Sequence, residues 1–589
     1  MIRTLWPNEA LPTGCDFDDE YAPSTRSASD SEAVVATQGD LQNSLNSTEA
    51  EAHENCIAQA VQITSSGKLV PLILNWMQHC KISGGHEKCQ KPLRTKLPRL
   101  MRLIDVERLR IVQAPPDAEY VALSYVWGSC EQVKLLEDNN GRLTQDHGFC
   151  NHGKALPKTI SDAIVLCRHL GYRYLWIDAL CIMQDSLQDK LLQLNSMRDV
   201  YSNSVLTIAA VWGKDSHAGL ETPDSGVPVS QLPAIQMDNS EPPTEKSGIE
   251  EAFRAAVGQT IWSTRGWTFQ EMCLSRRLLA FTQKGLFFHC GSCVYSEAGY
   301  EQLCPVSALR GAEVVSRPGC IFTIEPGHQL KTYLAMVQQY STRQLTFESD
   351  EADAMKGILR AFGHVMDNRP NSFYDGIPTS AIDQLLCWRV AQHEPDKRRE
   401  GFPSWSWYGW KQTPIFPEEL WEEVESKKYY WGSRIMGYDG YRRPGGKEWG
   451  GTKLDSYGIN STGRVLPLMI RVRRAELQVA MQSVRDIGDT NGSFRVTSPV
   501  DGRFLGTVQL DKEWRRNEPP TMSFIPVYTT EEDGEAFITT LMCLRKVELE
   551  LGMWGDYERV QIVSYWVGEE EWQGIMAKNG IEKRHIMIV

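Results

Sequence analysis

One short stretch of the chain combines the residue types that a site for a flat cationic ring needs. Two indoles, a guanidinium and a carboxylate are crowded together at Trp262, Arg265, Trp267 and Glu271. Glu271 follows Trp267 by four positions, so the two side chains share a face if one continuous helix carries both. A carboxylate beside an aromatic plate can hold a cationic ring together with the sugar attached to it. The stretch therefore predicts a site with Glu271 as its acid.

The sequence of this stretch also allows a purely structural interpretation. Thr268-Phe-Gln-Glu271 has the spacing of a capping box, in which the threonine oxygen accepts from the backbone N–H of Glu271 and the carboxylate reaches back to Thr268. If Thr268 were the N-cap, Trp267 would lie outside the helix and would not share a face with Glu271. Spacing alone leaves both interpretations open.

The elements around this stretch alternate between strand and helix. Near-continuous apolar runs, typical of strands covered on both faces, occur at 120–128, 174–178, 205–211 and 278–282. Helical spacing joins them over 160–170 and 187–201. Strands alternating with helices predict an α/β fold with a parallel sheet.

The predicted sheet brings several polar residues to one edge. In such sheets, ligands bind outside the carboxyl ends of the strands. Ser124 lies near the end of the first strand, Asp178 ends the second, and the loop from Arg265 to Glu271 precedes the fourth. We therefore expect these residues to lie near one another.

Composition shifts divide the chain into five parts. We predict a disordered lead over 1–65, a helix and strand extension over 66–117, and the α/β domain over 118–300. A segment rich in Gly, Pro, Ser and acidic residues, 213–258, reads as an insertion loop in that domain. A mainly helical region over 301–410 and an antiparallel β-rich region over 411–589 follow.

Charge and composition exclude several classes of protein. The 589 residues carry a formal net charge of −13 and no concentrated basic stripe, which argues against nucleic-acid binding. The N-terminus lacks the pattern of a signal peptide, and no apolar run approaches the ~18 residues of a membrane helix. Fifteen cysteines without regular spacing suit a reducing compartment better than a disulfide framework. We expect a cytoplasmic protein without a membrane span.

Histidine and cysteine clusters offer two further possibilities. Cys80, His86 and Cys89 are spaced like three metal ligands but lack a clear fourth, and Cys290 with Cys293 forms a lone CxxC pair. We interpret both groups as buried side chains and predict no metal. Cys181 and His169 could form a hydrolase pair, but no carboxylate is evident to orient the histidine.

Three motifs in this chain resemble the signature blocks of the fungal HET (heterokaryon incompatibility) domain. They lie at Ala122–Gly128, Trp176–Gln184 and Arg265–Glu271, in the order of that family. The resemblance covers roughly 118–272, and 340–346 and 402–407 are similar to the C-terminal half of many HET-domain proteins. It implies a role in fungal non-self recognition, in which such domains trigger the death of fused, incompatible cells.

The HET domain is itself thought to be a distant relative of the TIR (Toll/interleukin-1 receptor) domain, so the resemblance implies a flavodoxin-like sheet flanked by helices. Several TIR domains cleave NAD with a glutamate in a Trp-Cys-x-x-Glu motif. The spacing of Trp267 and Glu271 matches that motif, but Thr268 stands where it has Cys.

The resemblance implies NAD as substrate, with no separate cofactor and with Glu271 as the catalytic residue. Trp127 or Trp267 would stack on a nucleotide ring, and Arg265 would pair with a phosphate. Asp178 would bind a hydroxyl or brace its loop. Ser124 would donate to the ligand or bond its own backbone.

A non-enzymatic signalling module is the main alternative. The same sheet would then self-associate or bind another incompatibility protein, and the motifs would maintain the fold.

Overall fold

The structure, a computed structural model, describes about three fifths of the chain. The described residues are 69–83, 86–90, 97–98, 100–150, 155–220, 248–303, 317–324, 327–367, 373–378, 385–391, 394 and 397–416, and the strand backbones between 434 and 588. The predicted disordered lead over 1–65 and the centre of the predicted insertion loop lie outside the described residues.

A nine-stranded sheet organises the first half of the chain. Its strands are β1 (Arg102–Asp105), β2 (Arg110–Gln113), β3 (Tyr120–Ser124), β4 (Tyr174–Trp176), β5 (Leu206–Ala210), β6 (Arg277–Thr282), β7 (Gly285–Cys290), β8 (Cys293–Ser296) and β9 (Gly299–Gln302), in the spatial order β2-β1-β4-β3-β5-β6-β7-β8-β9. The four central strands, β4, β3, β5 and β6, pair in parallel. The predicted α/β class is confirmed.

The sheet is mixed, so the prediction of a parallel sheet is wrong at its two sides. β1 pairs antiparallel with β2 and β4, and β6 to β9 form an antiparallel series. The links from β1 to β2 and between successive strands of the β6–β9 series are only a few residues long, and a parallel pair needs a crossover of a dozen or more residues. Only the four central strands are separated by helices long enough to provide such crossovers.

Helices accompany the central strands. In chain order they are α1 (Leu69–Ile82), α2 (Glu87–Gln90), α3 (Glu137–Leu143), α4 (Lys158–His169), α5 (Asp178–Cys181), α6 (Leu187–Asn203), α7 (Ile249–Val257), α8 (Ile261–Thr264) and α9 (Gly266–Leu274). Every residue of β3, β5 and β6 is buried. This burial explains their near-continuous apolar sequence.

Two predicted boundaries are wrong. The second central strand ends at Trp176, and Asp178 begins the short helix α5 instead of ending the strand. The end of the predicted insertion loop forms α7, because Ile249, Phe253 and Val257 repeat every four residues and bury one face.

The region after the first sheet contributes two longer helices, α10 (Gln329–Ser341) and α11 (Glu351–Asp367). Trp405, Trp407 and Trp410 are buried and form part of the hydrophobic core. The segment that joins α10 to α11 contacts the predicted site stretch, since the backbone N–H of Gln344 donates to the Thr264 carbonyl at 2.6 Å.

A two-stranded sheet pairs β10 (Phe373–Tyr374) antiparallel with β11 (Ile377–Pro378). A second nine-stranded sheet lies between 434 and 588. Its strands are β12 (Arg434–Gly437), β13 (Leu468–Arg473), β14 (Ala475–Met481), β15 (Ser493–Thr497), β16 (Phe504–Gln509), β17 (Thr521–Glu532), β18 (Glu535–Lys546), β19 (Gly555–Gly568) and β20 (Lys583–Ile588). β19 and β20 pair in parallel, and the other neighbours in this sheet pair antiparallel. Within the described residues, none of the helices has the length and apolar character needed to span a membrane.

Candidate functional site

A cleft of about 710 Å³ opens beside the carboxyl ends of the central strands. Its walls come from the segment after β3, from α5 and α6, from the start of α9, and from 344–350. Five of the six predicted site residues line it: Trp127, Asp178, Arg265, Trp267 and Glu271. The sixth, Ser124, lies beneath the cleft lining. The tertiary structure thus brings together all three predicted segments.

Helix α9 carries both Trp267 and Glu271. Its N-cap is Arg265, so the two side chains lie one helical turn apart on a continuous helix, as the four-residue spacing predicted. The capping-box interpretation of Thr268 is wrong. Its hydroxyl lies inside the first turn and donates to the carbonyls of Trp262, at 2.5 Å, and Arg265, at 3.0 Å. The Glu271 carboxylate is therefore not used as a backbone cap.

A chain of buried polar groups orients the Glu271 carboxylate. Ser124 donates its hydroxyl hydrogen to Oε2 of Glu271 and accepts a hydrogen bond of 2.8 Å from Nε1 of Trp262. The predicted alternative for Ser124, a bond to its own backbone, is wrong, because its hydroxyl proton is directed across to the helix. Since the indole nitrogen of Trp262 can only donate, the Ser124 oxygen accepts from it, and the Ser124 hydroxyl hydrogen is left to donate to Glu271.

Burial dominates the electrostatics of Glu271. Only 7% of the residue is exposed, and this burial raises the pKa of Glu271 to about 7. The negative charge of Asp178 acts in the same direction, whereas the Ser124 hydrogen bond and the positive charge of Arg265 lower this pKa. A carboxyl group that titrates near neutrality in a cleft is typical of functional sites.

Asp178 performs a positioning role that the sequence left undecided. Its Oδ2 accepts from Nε1 of Trp127 at 2.8 Å, and its Oδ1 accepts from the backbone N–H of Ala179 at 2.7 Å. Burial raises the pKa of Asp178 to about 6. Lys134 lies over the Trp127 ring at 5.1 Å from its centroid. Asp178 therefore fixes the indole of Trp127 at one wall of the cleft, and its own carboxyl group forms part of the cleft lining.

The segment after α10 closes the cleft on the side of Arg265. The backbone N–H of Gly266 donates to the Gln344 carbonyl at 2.9 Å. Arg343 donates to the Arg265 carbonyl at 2.9 Å, and its guanidinium lies 4.5 Å from the centroid of the Phe269 ring. Burial lowers the pKa of Arg343 to about 10. Arg343 thus joins the start of α9 to the downstream region.

Several residues of the cleft were not predicted. They include Tyr125, Gln184, Lys190, Gln344, Phe347 and Asp350. Tyr125 and Gln184 lie inside two of the motifs that resemble the HET domain, and Gln344 lies in the stretch 340–346 that resembles other HET-domain proteins. Their positions in these motifs could therefore have identified them as site residues. No sequence pattern identifies Lys190, Phe347 or Asp350 as cleft residues, because only the packing of segment 344–350 and of α6 places them at the cleft.

Cys181 and His169, which the sequence disfavoured as a hydrolase pair for lack of an orienting carboxylate, do not form a site. Cys181 is fully buried, and this burial raises the pKa of its thiol to about 12. Its sulfur accepts from the backbone N–H of Ile177 at 3.5 Å, whereas Nδ1 of His169 lies 2.9 Å from the Val165 carbonyl. The thiol is held protonated and the imidazole is engaged in its own helix.

Comparison with known proteins agrees with the motifs. Residues 120–271 match the family model described as heterokaryon incompatibility protein (HET). The chain is similar to "Heterokaryon incompatibility protein 6, OR allele" of Neurospora crassa, with 26% identity over an alignment of 199 residues that covers 27% of this chain and 28% of that protein. The chain thus spans little more than a quarter of that relative's length. No solved structure matches.

The matched segment ends at Glu271 and contains Ser124, Trp127, Asp178, Arg265 and Trp267, so it includes the six predicted site residues. It also contains the first three of the four parallel strands, which carry the carboxyl edge beside the cleft. On the three motifs and this match, the chain carries a HET (heterokaryon incompatibility) domain over residues 120–271.

Proposed function

We propose that this protein acts in fungal non-self recognition and cell death by hydrolysing NAD to nicotinamide and ADP-ribose in the cleft around Glu271. The observation that carries the proposal is the state of the Glu271 carboxylate. It is buried at a cleft large enough for a dinucleotide, accepts a hydrogen bond from Ser124, and does not cap the backbone N–H groups of its helix.

The cleft offers complementary groups for the parts of the substrate. Trp127 and Trp267 provide indole faces for an aromatic ring. Arg265 provides a planar guanidinium that matches phosphate oxygens, and Lys190 adds a second positive charge to the lining. Asp178 lies within reach of ribose hydroxyls in this arrangement, although two of its acceptor sites already serve Trp127 and Ala179.

Glu271 suits the chemistry of the bond that breaks. Nicotinamide leaves as a neutral molecule from a cationic pyridinium, taking the electron pair of the glycosidic bond, so its departure needs no general acid. The barrier lies in the positive charge that develops at the ribose anomeric carbon. An ionised Glu271 stabilises that charge, water then adds to the anomeric carbon, and the water's proton is released.

The strand order supports the proposed relation to TIR domains. The four parallel strands, taken in chain order, lie side by side as 2-1-3-4, which is how flavodoxin-like sheets begin. In such sheets, ligands bind where the order reverses, between the first and third strands. Ser124 ends the first strand at that point and holds Glu271.

A cytoplasmic location forms part of the proposal. The cysteines that the structure describes are free thiols, which suits a reducing compartment where NAD is also available.

The test measures nicotinamide release by the purified chain, both free and clustered by a fused oligomerisation domain. We expect the wild-type chain to release nicotinamide and the Glu271→Gln variant to release it at least about 100-fold more slowly. Glu297→Gln is the matched control, because Glu297 is a half-buried carboxyl group whose pKa is also raised by burial but which lies outside the cleft lining. Equal rates for folded wild-type and Glu271→Gln chains would refute the proposal.

A non-catalytic association module is the alternative, and exposed apolar side chains favour it. Leu187 and Leu191 lie one turn apart on α6 and are 71% and 51% exposed. Such a surface suits self-association or the binding of another incompatibility protein. Under this alternative, Leu187→Asp abolishes association and signalling, whereas Glu271→Gln leaves both unchanged.

A further inference from the structure

Four potential metal ligands from two distant segments of the chain meet in the core. They are Cys80 at the end of α1, His86, Cys89 in α2, and Cys290 at the end of β7. Their ligand atoms all lie within 4.8 Å of one another, and all four residues are buried. Cys290, which lies 204 positions after His86, supplies the fourth potential ligand that the Cys80–Cys89 segment lacks.

We infer that these four side chains form a structural zinc site of the three-cysteine, one-histidine type. In a tetrahedral site with Zn–S near 2.3 Å and Zn–N near 2.0 Å, neighbouring ligand atoms are separated by about 3.5 to 3.8 Å. Nδ1 of His86 lies 3.5 Å from Sγ of Cys290 and 4.0 Å from Sγ of Cys89. Small adjustments bring this set to the geometry of bound zinc.

The surrounding groups orient and stabilise the ligands as the outer shell of a metal site does. Nε2 of His86 lies 3.5 Å from Sγ of Cys293, a partner that keeps Nδ1 free to bind the metal. The backbone N–H of Cys293 donates to Sγ of Cys290 at 3.3 Å. This role explains the CxxC pair, with Cys290 as ligand and Cys293 as support.

A buried guanidinium provides an independent reason to expect thiolates here. Arg277 is 4% exposed, and its Nε donates to Sγ of Cys80 at 3.3 Å. Its other donors reach the neutral oxygens of Val205 and Gln90, and within the described part of the chain no carboxylate forms an ion pair with it. Buried charges require opposite charges. Three thiolates around Zn²⁺ leave one net negative charge that Arg277 balances.

The zinc would attach the N-terminal helices to the sheet. Cys80, His86 and Cys89 belong to the segment of α1 and α2, whereas Cys290 begins the turn between β7 and β8. Aromatic contacts already join the same elements, since the Trp76 ring stacks on Phe288 and Nδ1 of His79 lies 2.8 Å from the Tyr295 hydroxyl. Metal binding would add a cross-link to this packing.

The first test measures metal in the full chain purified without a polyhistidine tag or chelator. We expect about one zinc per chain by inductively coupled plasma mass spectrometry. A chain with Co²⁺ in place of zinc should display the visible absorption bands of tetrahedral cobalt and thiolate charge-transfer absorption in the near ultraviolet. A chain without stoichiometric zinc, even after zinc is supplied during refolding, would overturn the site. So would an iron–sulfur absorption spectrum, or disulfides among these cysteines in the freshly purified protein.

Variants separate ligands from neighbours. Cys290→Ser should lose zinc, whereas Cys167→Ser should keep it, because Cys167 is a buried thiol in α4 outside the cluster. Cys293→Ser should retain zinc with about 10- to 100-fold weaker affinity. If Cys290→Ser does not fold, His86→Cys decides the question: a four-thiolate site should keep zinc and increase the cobalt charge-transfer intensity. Full zinc content in both Cys290→Ser and His86→Ala would overturn the assignment.

Discussion

Ser124 and Glu271 are joined by a hydrogen bond that connects the end of β3 to the middle of α9. The two residues are 147 positions apart in the chain, and Trp262 completes the arrangement by donating to the serine oxygen. This bond fixes a carboxylate at the floor of the cleft. The position and the charge of this carboxylate therefore depend on Ser124, on Asp178 and on its own burial.

Ser124→Ala removes the hydroxyl group between Glu271 and Trp262. Both groups are buried, so we expect a loss of about 1 to 3 kcal/mol in the free energy of unfolding. We also expect up to about 100-fold slower NAD hydrolysis, because the carboxylate is no longer held in place. Urea unfolding and nicotinamide release measure the two effects. The control is Ser196→Ala, whose exposed hydroxyl donates only within its own helix. Unchanged activity in Ser124→Ala would contradict a positioning role for the serine.

The proposed NAD hydrolysis should depend on the ionisation of Glu271. Because the carboxylate form stabilises the developing positive charge and the pKa of Glu271 is about 7, we expect kcat/KM for NAD to fall as the pH decreases below 7. Above that pH, kcat/KM should reach a plateau. A profile of kcat/KM between pH 5 and 9 measures this. An optimum near pH 5 would show that the protonated acid is the active form.

Asp178→Asn should move the acidic limb of that profile to lower pH. The negative charge of Asp178 raises the pKa of Glu271, so its removal favours the ionised form of Glu271. The comparison is with Asp185→Asn, since Asp185 is an exposed carboxylate outside the cleft lining. The prediction is wrong if both variants retain the wild-type limb, or if Asp178→Asn moves it to higher pH.

Glu271→Gln should change stability in a pH-dependent way. The pKa of Glu271 is raised from 4.5 to about 7 in the folded state, so the folded chain binds the proton more tightly than the unfolded chain. This contribution to the free energy of unfolding is present below pH 4.5 and is lost as the pH rises through 7. Relative to wild type, Glu271→Gln should therefore gain up to about 3 kcal/mol between pH 4.5 and pH 8.

Urea unfolding of the two chains at pH 5 and pH 8 measures this difference. Glu297→Gln, measured in parallel, reports how much of the change is common to partly buried glutamates. A stability difference between wild type and Glu271→Gln that is the same at both pH values would show that the carboxyl group is not perturbed by burial.

Local sequence patterns determined the central elements and most of the candidate site. The apolar runs identified the four parallel strands because strands buried on both faces need apolar residues throughout. The spacing of Trp267 and Glu271 predicted a shared helical face, and the motifs selected five residues that line one cleft. These features depend on neighbours along the chain, so the sequence carries them directly.

Only the tertiary structure decided which of two local interpretations applied. Thr268 fits a capping box by spacing, but its hydroxyl donates to Trp262 and Arg265 because the helix begins earlier, at a backbone pairing with Gln344. Cys80, His86 and Cys89 lacked a fourth ligand until the sheet placed Cys290 beside them. Gln344 and Cys290 each lie far along the chain from the residues they contact, and local propensity contains no information about contacts of that separation.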